Sequence, residues 1–404
     1  MVWIKNVRLE TGYLEKEAND IVTVTNQVAL KIEEGIIKEI AKEVPEGIND
    51  VIDGKNYLAS PSLRDNHIHL DKGHYGGSWK AVVPVPGVKE RIIEEEGFLV
   101  EFLQDAPKKA QALIDLICGS GATFLRVQVN LDPVIEMKNI EIIREVLEKN
   151  KHRLDYELVA FPQHGTLKTA EKGLLSKAAK EDVVNAIGGL DPATIDNDIE
   201  KSLETTFKVA TENNKEIDIH LHDPGELGIY EIKRIIAFTK KYKMQGKVAI
   251  THAYSMGAVG EDSLVEVVKE LAENKIAINT TVPIDAPAPP IPFLQKHGVR
   301  VNVINDNIND HWSPFGTGDM IRIANRAAEV FSMVDEIVLS QAYGLVSNGL
   351  TALDSQGVKQ WPNVGDSANI LFTKAESTAH LVARVCPERV VMFKGEVVSG
   401  SFEG

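Results

Sequence analysis

Two histidine pairs with the same spacing are the residues of this sequence best suited to chemistry. His67-Ile68-His69 and His220-Leu221-His222 each stand at the end of an apolar run of strand length. Side chains two residues apart on a strand point to the same face, so each pair can present two imidazoles to one site. A single pair of this kind is often just two surface histidines. A second pair at the same edge of a sheet favours a shared metal, because imidazole is a common metal ligand.

Two further apolar runs end in residues that can complete such a site. Ala249-Ile250-Thr251-His252 ends in a histidine, and Val303-Ile304-Asn305-Asp306 ends in an aspartate. A carboxylate at the end of an apolar strand is costly to bury unless it is paired or metal-bound. The structural alternative is that each residue caps the following helix. Nitrogen and oxygen ligands together predict one divalent metal ion, with zinc preferred and Fe(II) as the second choice.

The elements that must position these residues alternate along the middle of the chain. Apolar runs of strand length are separated by segments with apolar residues at the helical spacing i, i+3, i+4 and i+7. Eight such units predict an α/β fold, a (β/α)8 TIM barrel, with a doubly wound open sheet as the alternative. In a barrel, catalytic groups gather at the carboxyl ends of the strands. The predicted strands are 63–70, 123–129, 156–161, 184–188, 217–222, 247–252, 277–281 and 301–305, and the clearest helices are 99–118, 140–149, 195–213, 227–241 and 262–274.

Both ends of the chain have a different pattern. Short segments rich in Val and Ile, typical of strands, occur at 2–9, 21–30, 36–40, 368–372 and 389–393. Glu33-Glu34-Gly35 and Lys394-Gly395-Glu396 predict hairpin turns between such strands. We therefore predict a composite β-sandwich domain built from residues 1–60 and 357–404, and a barrel domain from residues 61–356.

Composition restricts the class of function. The chain has 404 residues, of which 43% are hydrophobic and 25% charged, which is typical of a globular protein with a large core. Its formal net charge of -15 disfavours a nucleic-acid partner and suits a small neutral or cationic substrate. Cys118 and Cys386 stand in no metal or disulfide spacing. With no signal-peptide pattern and no long apolar run, the expectation is a cytoplasmic protein without a membrane partner.

The histidine and aspartate motifs lie in longer stretches that resemble the amidohydrolase superfamily. The resemblance is to the cytosine deaminase branch, and within it to triazine-degrading members. It covers nearly the whole chain and is more specific for the branch than for the substrate. The matching stretches are Asp65-Asn66-His67-Ile68-His69-Leu70-Asp71-Lys72, Ile217-Asp218-Ile219-His220-Leu221-His222-Asp223, and residues 159–163, 188–194, 251–253, 306–316 and 318–320.

The resemblance implies a distorted (β/α)8 barrel, a small β-sandwich made from both chain ends, and one bound metal. It also implies that His252 faces the attacking water or the substrate. Binuclear relatives carry a bridging lysine at the end of strand four, and residues 184–190 contain none, which indicates one metal. The implied ligands are His67, His69, His220 and Asp306.

Two positions depart from the cytosine deaminase pattern. Cytosine deaminases carry a proton-shuttling glutamate where this chain has Asp223. The family often has a histidine at the end of strand two, within an Arg-x-His-x-Asp pattern, where this chain has Arg126-Val127-Gln128-Val129-Asn130. Both departures reduce the expectation of cytosine itself as the substrate.

The expected reaction is hydrolysis of an exocyclic C–N bond of a small nitrogen heterocycle, such as a hydroxylated triazine, by metal-activated water. Asp306 is expected to ligate the metal and accept the proton of the water. Asp223 and His252 are expected to relay that proton to the ring and the leaving amine. His222 is either the partner of a ligand or a general acid.

Three residues are predicted to contact the substrate, and each has a structural alternative. The amide of Gln163 can pair with a cyclic amide edge, or it can cap a loop. Trp312 can form a wall against a flat ring, or it can belong to the core. Lys72 can contact the substrate, or it can pair with a nearby acid.

Two other functions stay open. The run Phe161-Pro162-Gln163 favours a deaminase of cytosine or a modified pyrimidine. A catalytically silent barrel that binds or assembles with partners is the alternative of another class, although the full ligand set argues against it. A homo-oligomer is expected by analogy with other barrels of this kind.

Overall fold

The structure is a computed structural model that describes residues 1–18 and 20–402. Residues 19, 403 and 404, which belong to the predicted terminal domain, lie outside the described residues. The chain opens with a long antiparallel pair of strands and three shorter strands. These are β1 (Val2–Glu17), β2 (Asp20–Glu33), β3 (Ile36–Ala41), β4 (Val51–Asp53) and β5 (Leu58–Pro61).

Eight parallel strands follow among the described residues, hydrogen-bonded in the order of the sequence. All eight predicted strands are confirmed, with ends shifted by a few residues. A bridge between the first strand and the segment after the last one closes this sheet, so the barrel prediction is right and the open-sheet alternative is wrong. The strands are β6 (Leu63–His69), β7 (Ala122–Asn130), β8 (Asp155–Phe161), β9 (Val184–Leu190), β10 (Glu216–Leu221), β11 (Val248–His252), β12 (Ala277–Thr280) and β13 (Val301–Val303).

Helices alternate with these strands, and the longer ones bury an apolar face. In the longest of them, Leu113, Ile114 and Ile117 face the barrel at helical spacing. The helices are α1 (Val88–Glu96), α2 (Leu99–Gly119), α3 (Lys138–Lys149), α4 (Thr166–Glu171), α5 (Leu174–Ala179), α6 (Ile199–Glu212), α7 (Gly225–Tyr242), α8 (Glu261–Glu273), α9 (Ile291–Lys296), α10 (Met320–Val330), α11 (Glu336–Ala342) and α12 (Thr378–Arg384). Within the described residues, these helices are too short or too polar to cross a membrane.

The chain returns to the first sheet through β14 (Ile370–Thr373), β15 (Arg389–Phe393) and β16 (Glu396–Ser399). Strand β14 pairs with β5, which joins the two chain ends in one sheet. Both predicted hairpin turns are confirmed. Their central residues are left-handed, with φ of 52° and 74° at Glu34 and Gly35 and 47° and 85° at Lys394 and Gly395. The boundaries drawn between the two domains stay a prediction.

The barrel is closed by the segment that follows β13. The backbone N–H of Asp306 donates to the carbonyl of His67 at 3.1 Å, and that of His69 donates to the carbonyl of Asp306 at 3.3 Å. Asp306 therefore lies beside Ile68 in register, between the two histidines of the first barrel strand. The backbone hydrogen bonds that close the barrel therefore also place Asp306 beside His67 and His69.

Candidate active site

All four side chains predicted to bind a metal lie together at the carboxyl ends of the barrel strands. Candidate ligand atoms of all four lie within 4.8 Å of one another. Asp306 Oδ1 is 3.5 Å from Nε2 of His67 and 3.3 Å from Nε2 of His69. His220 Nε2 is 3.4 Å from His69 Nε2. Strands β6 and β10 and the segment after β13 together supply this cluster of His67, His69, His220 and Asp306.

The polar atoms of this cluster fit a divalent cation. Among the described residues, His67 Nε2 and Asp306 Oδ1 are buried and have no hydrogen-bond partner. Buried polar atoms are normally satisfied, so unsatisfied atoms that face each other suggest a missing partner. A cation would satisfy them, and three imidazoles with one carboxylate are ligands that divalent transition metals accept.

The protonation of the imidazoles is set by burial and by neighbouring charge. Burial lowers the pKa of His220 well below its ordinary value. Burial, followed by the nearby Lys72, lowers the pKa of His69 to about 3. Both rings are therefore neutral, which is the form that binds a metal. Burial also acts to lower the pKa of His67, but Asp218 and Asp306 outweigh it and raise that pKa to about 9.

The backbone at Asp306 is left-handed, with φ of 59°. Residues with a Cβ adopt this conformation at a cost, and aspartate and asparagine tolerate it best. Phe161 stacks on His220 with ring centroids 4.0 Å apart and planes at 15°. The turn at Asp306 and the stacked ring at His220 each restrict where a ligand side chain can point.

A second group of buried polar residues lies under the cluster, and sequence reasoning missed it. His67 Nδ1 is 3.1 Å from Gln128 Nε2 and 3.6 Å from Asp218 Oδ2. Asp218 also accepts hydrogen bonds from Thr251 Oγ1 at 2.7 Å and from Gln128 at 3.1 Å. Arg126 Nε lies 3.5 Å from the same carboxylate. Gln128, which stands where the deaminase pattern has a histidine, therefore contacts the first histidine of the cluster from below.

The missed residue had a signal in the sequence. Asp218 stands two residues before His220 on β10, and the period of a strand places both side chains on one face. Asp218 is fully buried inside the barrel. A buried carboxylate two positions before a predicted ligand could have been recognised as its neighbour.

An Asp218→Asn variant is expected to weaken binding of a divalent cation by about 10- to 100-fold, since partners that orient a ligand histidine contribute this much. It is also expected to lower the free energy of unfolding by about 1–3 kcal/mol, because hydrogen bonds to the buried Asp218 carboxylate are weakened while Arg126 keeps Glu157 and Glu216 as charged partners. Metal titration and urea unfolding measure the two effects. Asp155→Asn is the matched control, because Asp155 pairs with Lys394 at the surface. Equal behaviour of the two variants would contradict this role.

His222 and His252 lie beside the cluster, with one nitrogen of each ring already bonded. His222 Nδ1 is 2.8 Å from Asp191 Oδ2, and the backbone N–H of His222 donates to the same carboxylate. His252 Nδ1 is 3.1 Å from the hydroxyl of Tyr254. The two rings stack with centroids 4.3 Å apart. Each ring therefore keeps Nε2 for other contacts.

Asp223 is hydrogen-bonded to the segment that follows β9. Its carboxylate accepts hydrogen bonds from the hydroxyl and the backbone N–H of Thr194. Glu231 of α7 also lies against it. Burial, and after it the charge of Asp223, raises the pKa of Glu231 to about 8, although a hydrogen bond from Ala193 N–H acts to lower it. The role predicted for Asp223 as a proton relay stays a prediction.

The three residues predicted to contact the substrate are brought together. Lys72 Nζ donates a short hydrogen bond to Gln163 Oε1. The same ammonium lies 5.4 Å from the ring centre of Trp312 and 5.8 Å from that of Phe161. Phe161 contacts both this group and the metal-site cluster, since it stacks on His220.

Comparison with known proteins agrees with this geometry. Residues 119–398 match the amidohydrolase family. An uncharacterised protein of Escherichia coli K12, YahJ, is 33% identical over 407 residues, which cover 100% of this chain and 88% of that protein. N-isopropylammelide isopropyl amidohydrolase of Pseudomonas sp. strain ADP is 29% identical over 295 residues, covering 71% of this chain and 72% of that enzyme.

A solved structure extends the likeness to the whole fold. N-isopropylammelide isopropylaminohydrolase from Burkholderia multivorans superposes with a TM-score of 0.86 at 28% sequence identity. The match covers 99% of this chain and 98% of that one. The combination of barrel and terminal sheet therefore occurs in a solved structure as well.

Proposed function

The chain belongs to the amidohydrolase family, and from that premise we propose that it hydrolyses an exocyclic C–N bond of a small nitrogen heterocycle. The preferred substrate class is a hydroxylated triazine that carries an amino or alkylamino group. The reaction adds water across the C–N bond, so the ring gains an oxygen and ammonia or an alkylamine is released.

The observation that carries the proposal is the convergence of His67, His69, His220 and Asp306 within 4.8 Å. A bound divalent cation would supply Lewis acidity there, which makes water a stronger nucleophile at neutral pH. The ring-binding pair of Lys72 and Gln163 is linked to this cluster through Phe161. A flat ring held between the two groups would place its exocyclic nitrogen near the metal site.

The chain's own residues would move the protons. Asp306 is proposed to accept a proton from the attacking water. His222 has Nδ1 bonded to Asp191, so Nε2 is the atom proposed to hold a proton and pass it to the leaving amine. His252, held by Tyr254, is proposed to polarise a ring oxygen. Asp223 is kept as the second candidate for the relay.

A release assay tests the proposed function. Protein reconstituted with zinc is incubated with a panel of amino- and alkylamino-substituted triazines, pyrimidines, purines and pterins, and ammonia and amine are measured. The expected result is the highest kcat/KM on a hydroxylated triazine. The run Phe161-Pro162-Gln163 favours a pyrimidine deaminase as the second candidate, and a best rate on cytosine or a modified cytosine would replace the triazine assignment.

Metal content separates an enzyme from a silent barrel. Purified protein is expected to hold about one divalent ion per chain or to gain one on reconstitution. A protein that takes up no metal and releases no amine from any member of the panel would favour a binding or assembly role.

The finer parts of the proposal concern the metal, the location and the assembly. Zinc is preferred over Fe(II), because histidine nitrogen and carboxylate oxygen are ligands common to zinc hydrolases. Cys118 and Cys386 are free thiols in the structure, which supports a reducing compartment such as the cytoplasm. A homo-oligomer is proposed by analogy, with a small molecule rather than nucleic acid or membrane as the partner.

A further inference from the structure

Helix α1 packs against the mouth of the barrel, and the sequence pattern did not predict it. Its residues Val88 and Ile92 join an apolar cluster with Phe161 and Leu190 at the ends of β8 and β9. Trp312 packs against the same cluster. Residues on the inner face of α1 therefore lie beside the proposed substrate pocket.

One residue of that inner face is a buried carboxylate. Glu95 is fully buried, and its Oε1 lies 3.9 Å from Nζ of Lys72. Its Oε2 lies 3.5 Å from Nε2 of His164. Among the described residues, neither carboxylate oxygen of Glu95 has a hydrogen-bond partner. A buried carboxylate is costly, so this arrangement requires a compensating charge close by.

Lys72 provides that charge, and Glu95 in turn balances Lys72. Burial alone would raise the pKa of Glu95, but Lys72 and then His164 outweigh burial and hold that pKa at about 2. Asp71 and Asp310 are also influenced by Lys72, yet burial dominates at both and raises their pKa values to about 6 and about 7. Of these three carboxylates, Glu95 is therefore the one whose pKa is lowered beside the lysine.

The ammonium of Lys72 decides how the amide of Gln163 is turned. A lysine side chain can only donate hydrogen bonds, so the atom of Gln163 that faces it must be the oxygen. The amide NH2 of Gln163 is then turned away from Lys72 and is available to donate to a bound ring. Lys72 and Gln163 thus offer donors at this end of the pocket, and a ring edge that carries acceptor atoms is the complement.

We propose that Glu95 is a positioning residue that acts through Lys72 to turn Gln163, and so selects heterocycles whose bound edge carries oxygen acceptors. The inference rests on the proposed function, because it concerns the same pocket. It differs from the paired amide edge expected for Gln163, in which the ring donates one hydrogen bond and accepts another.

A double-mutant cycle tests whether Glu95 acts through Lys72. The variants are Glu95→Gln, Lys72→Met and the double variant, each assayed on the best substrate of the panel. Glu95→Gln is expected to raise KM about tenfold with a smaller change in kcat, and the factor should fall close to one in the Lys72→Met background. Equal factors in both backgrounds would show that Glu95 only supports the fold, and would overturn the proposal.

Two further variants separate folding from positioning. Glu95→Asp keeps the charge and is expected to show a smaller increase in KM than Glu95→Gln. Glu90→Gln is the matched control, because Glu90 lies on the same helix and is exposed. Thermal unfolding of all variants is compared. If Glu95→Gln is unstable, Glu95→Asp replaces it in the cycle, and a change in KM caused by Glu95→Asp that is equally large with Lys72 and with Lys72→Met counts against the proposal.

Measurements of ligand binding test the role of Glu95 separately from the proposed reaction, because they require no turnover. Calorimetry with the zinc-loaded protein uses cyanuric acid, whose ring edge places one N–H between two oxygen acceptors, and cytosine, which carries a single oxygen acceptor. Tighter binding of cyanuric acid that Glu95→Gln weakens about tenfold supports the inference, even if no compound is turned over. Binding of cyanuric acid that Glu95→Gln leaves unchanged, no binding of either compound, or a preference for cytosine would refute it.

Discussion

An Asp306→Asn variant is expected to lose at least about 10³-fold in kcat/KM and most of its bound metal. The carboxylate is the only anionic member of the proposed ligand set, and Lewis-acid activation contributes several kcal/mol to such reactions. Asparagine is chosen over alanine because the backbone at this position has φ of 59°, which asparagine tolerates. The fold should therefore survive while the charge is lost.

The measurements are metal content by elemental analysis and steady-state kinetics on the best substrate of the panel. Asp262→Asn is the matched control, since Asp262 is exposed in the first turn of α8. A variant of Asp306 that keeps both its metal and its activity would show that the cluster of four residues is not the catalytic centre. Restored activity at high zinc concentration would assign the loss to metal affinity rather than to proton transfer.

Replacing His222 by asparagine is expected to lower kcat by about 10²- to 10⁴-fold, which is the range for loss of a general acid or base. The amide NH2 of asparagine can take the place of Nδ1 towards Asp191, so the local hydrogen bond is kept. The variant lacks Nε2, the atom proposed to carry the proton. The loss should be larger for substrates whose amine is a poorer leaving group.

Asp223→Asn gives the matched comparison, because the two residues are adjacent and both are predicted catalytic groups. Asp223 is hydrogen-bonded to Thr194, and we expect its replacement to lower kcat less than that of His222. A larger loss in Asp223→Asn would move the relay to Asp223. Recovery of His222→Ala activity by added imidazole would support transfer through the ring nitrogen.

The interior of the barrel below the cluster is unusually polar. Asp218 accepts from Thr251, and Asn279 Nδ2 in turn donates to the hydroxyl of Thr251 at 3.2 Å. Asn302 donates to Asn279 at 3.0 Å. Barrel interiors are usually filled by branched apolar side chains. Here a hydrogen-bonded layer supports His67 instead, so substitutions in it should alter metal binding as well as stability.

The placement of the ligands was predictable because strand geometry is local. A period of two puts His67 and His69 on one face, and apolar runs of constant length predict parallel strands whose carboxyl ends share one rim. Turn chemistry made the hairpin at Glu34-Gly35 predictable in the same way, since both residues adopt left-handed φ. Periodicity and backbone preference each depend on a few neighbouring residues, so both can be recognised in the sequence alone.

Only the tertiary structure shows which side chains from distant segments contact one another. Periodicity could not show that Asp223 faces Thr194, that His222 is bonded to Asp191, or that α1 brings Glu95 to Lys72. By itself the sequence determined the barrel, the terminal strands and which residues reach the rim. Charge pairing and packing between segments far apart in the chain determined the rest, because such contacts depend on three-dimensional neighbours that no spacing along the chain encodes.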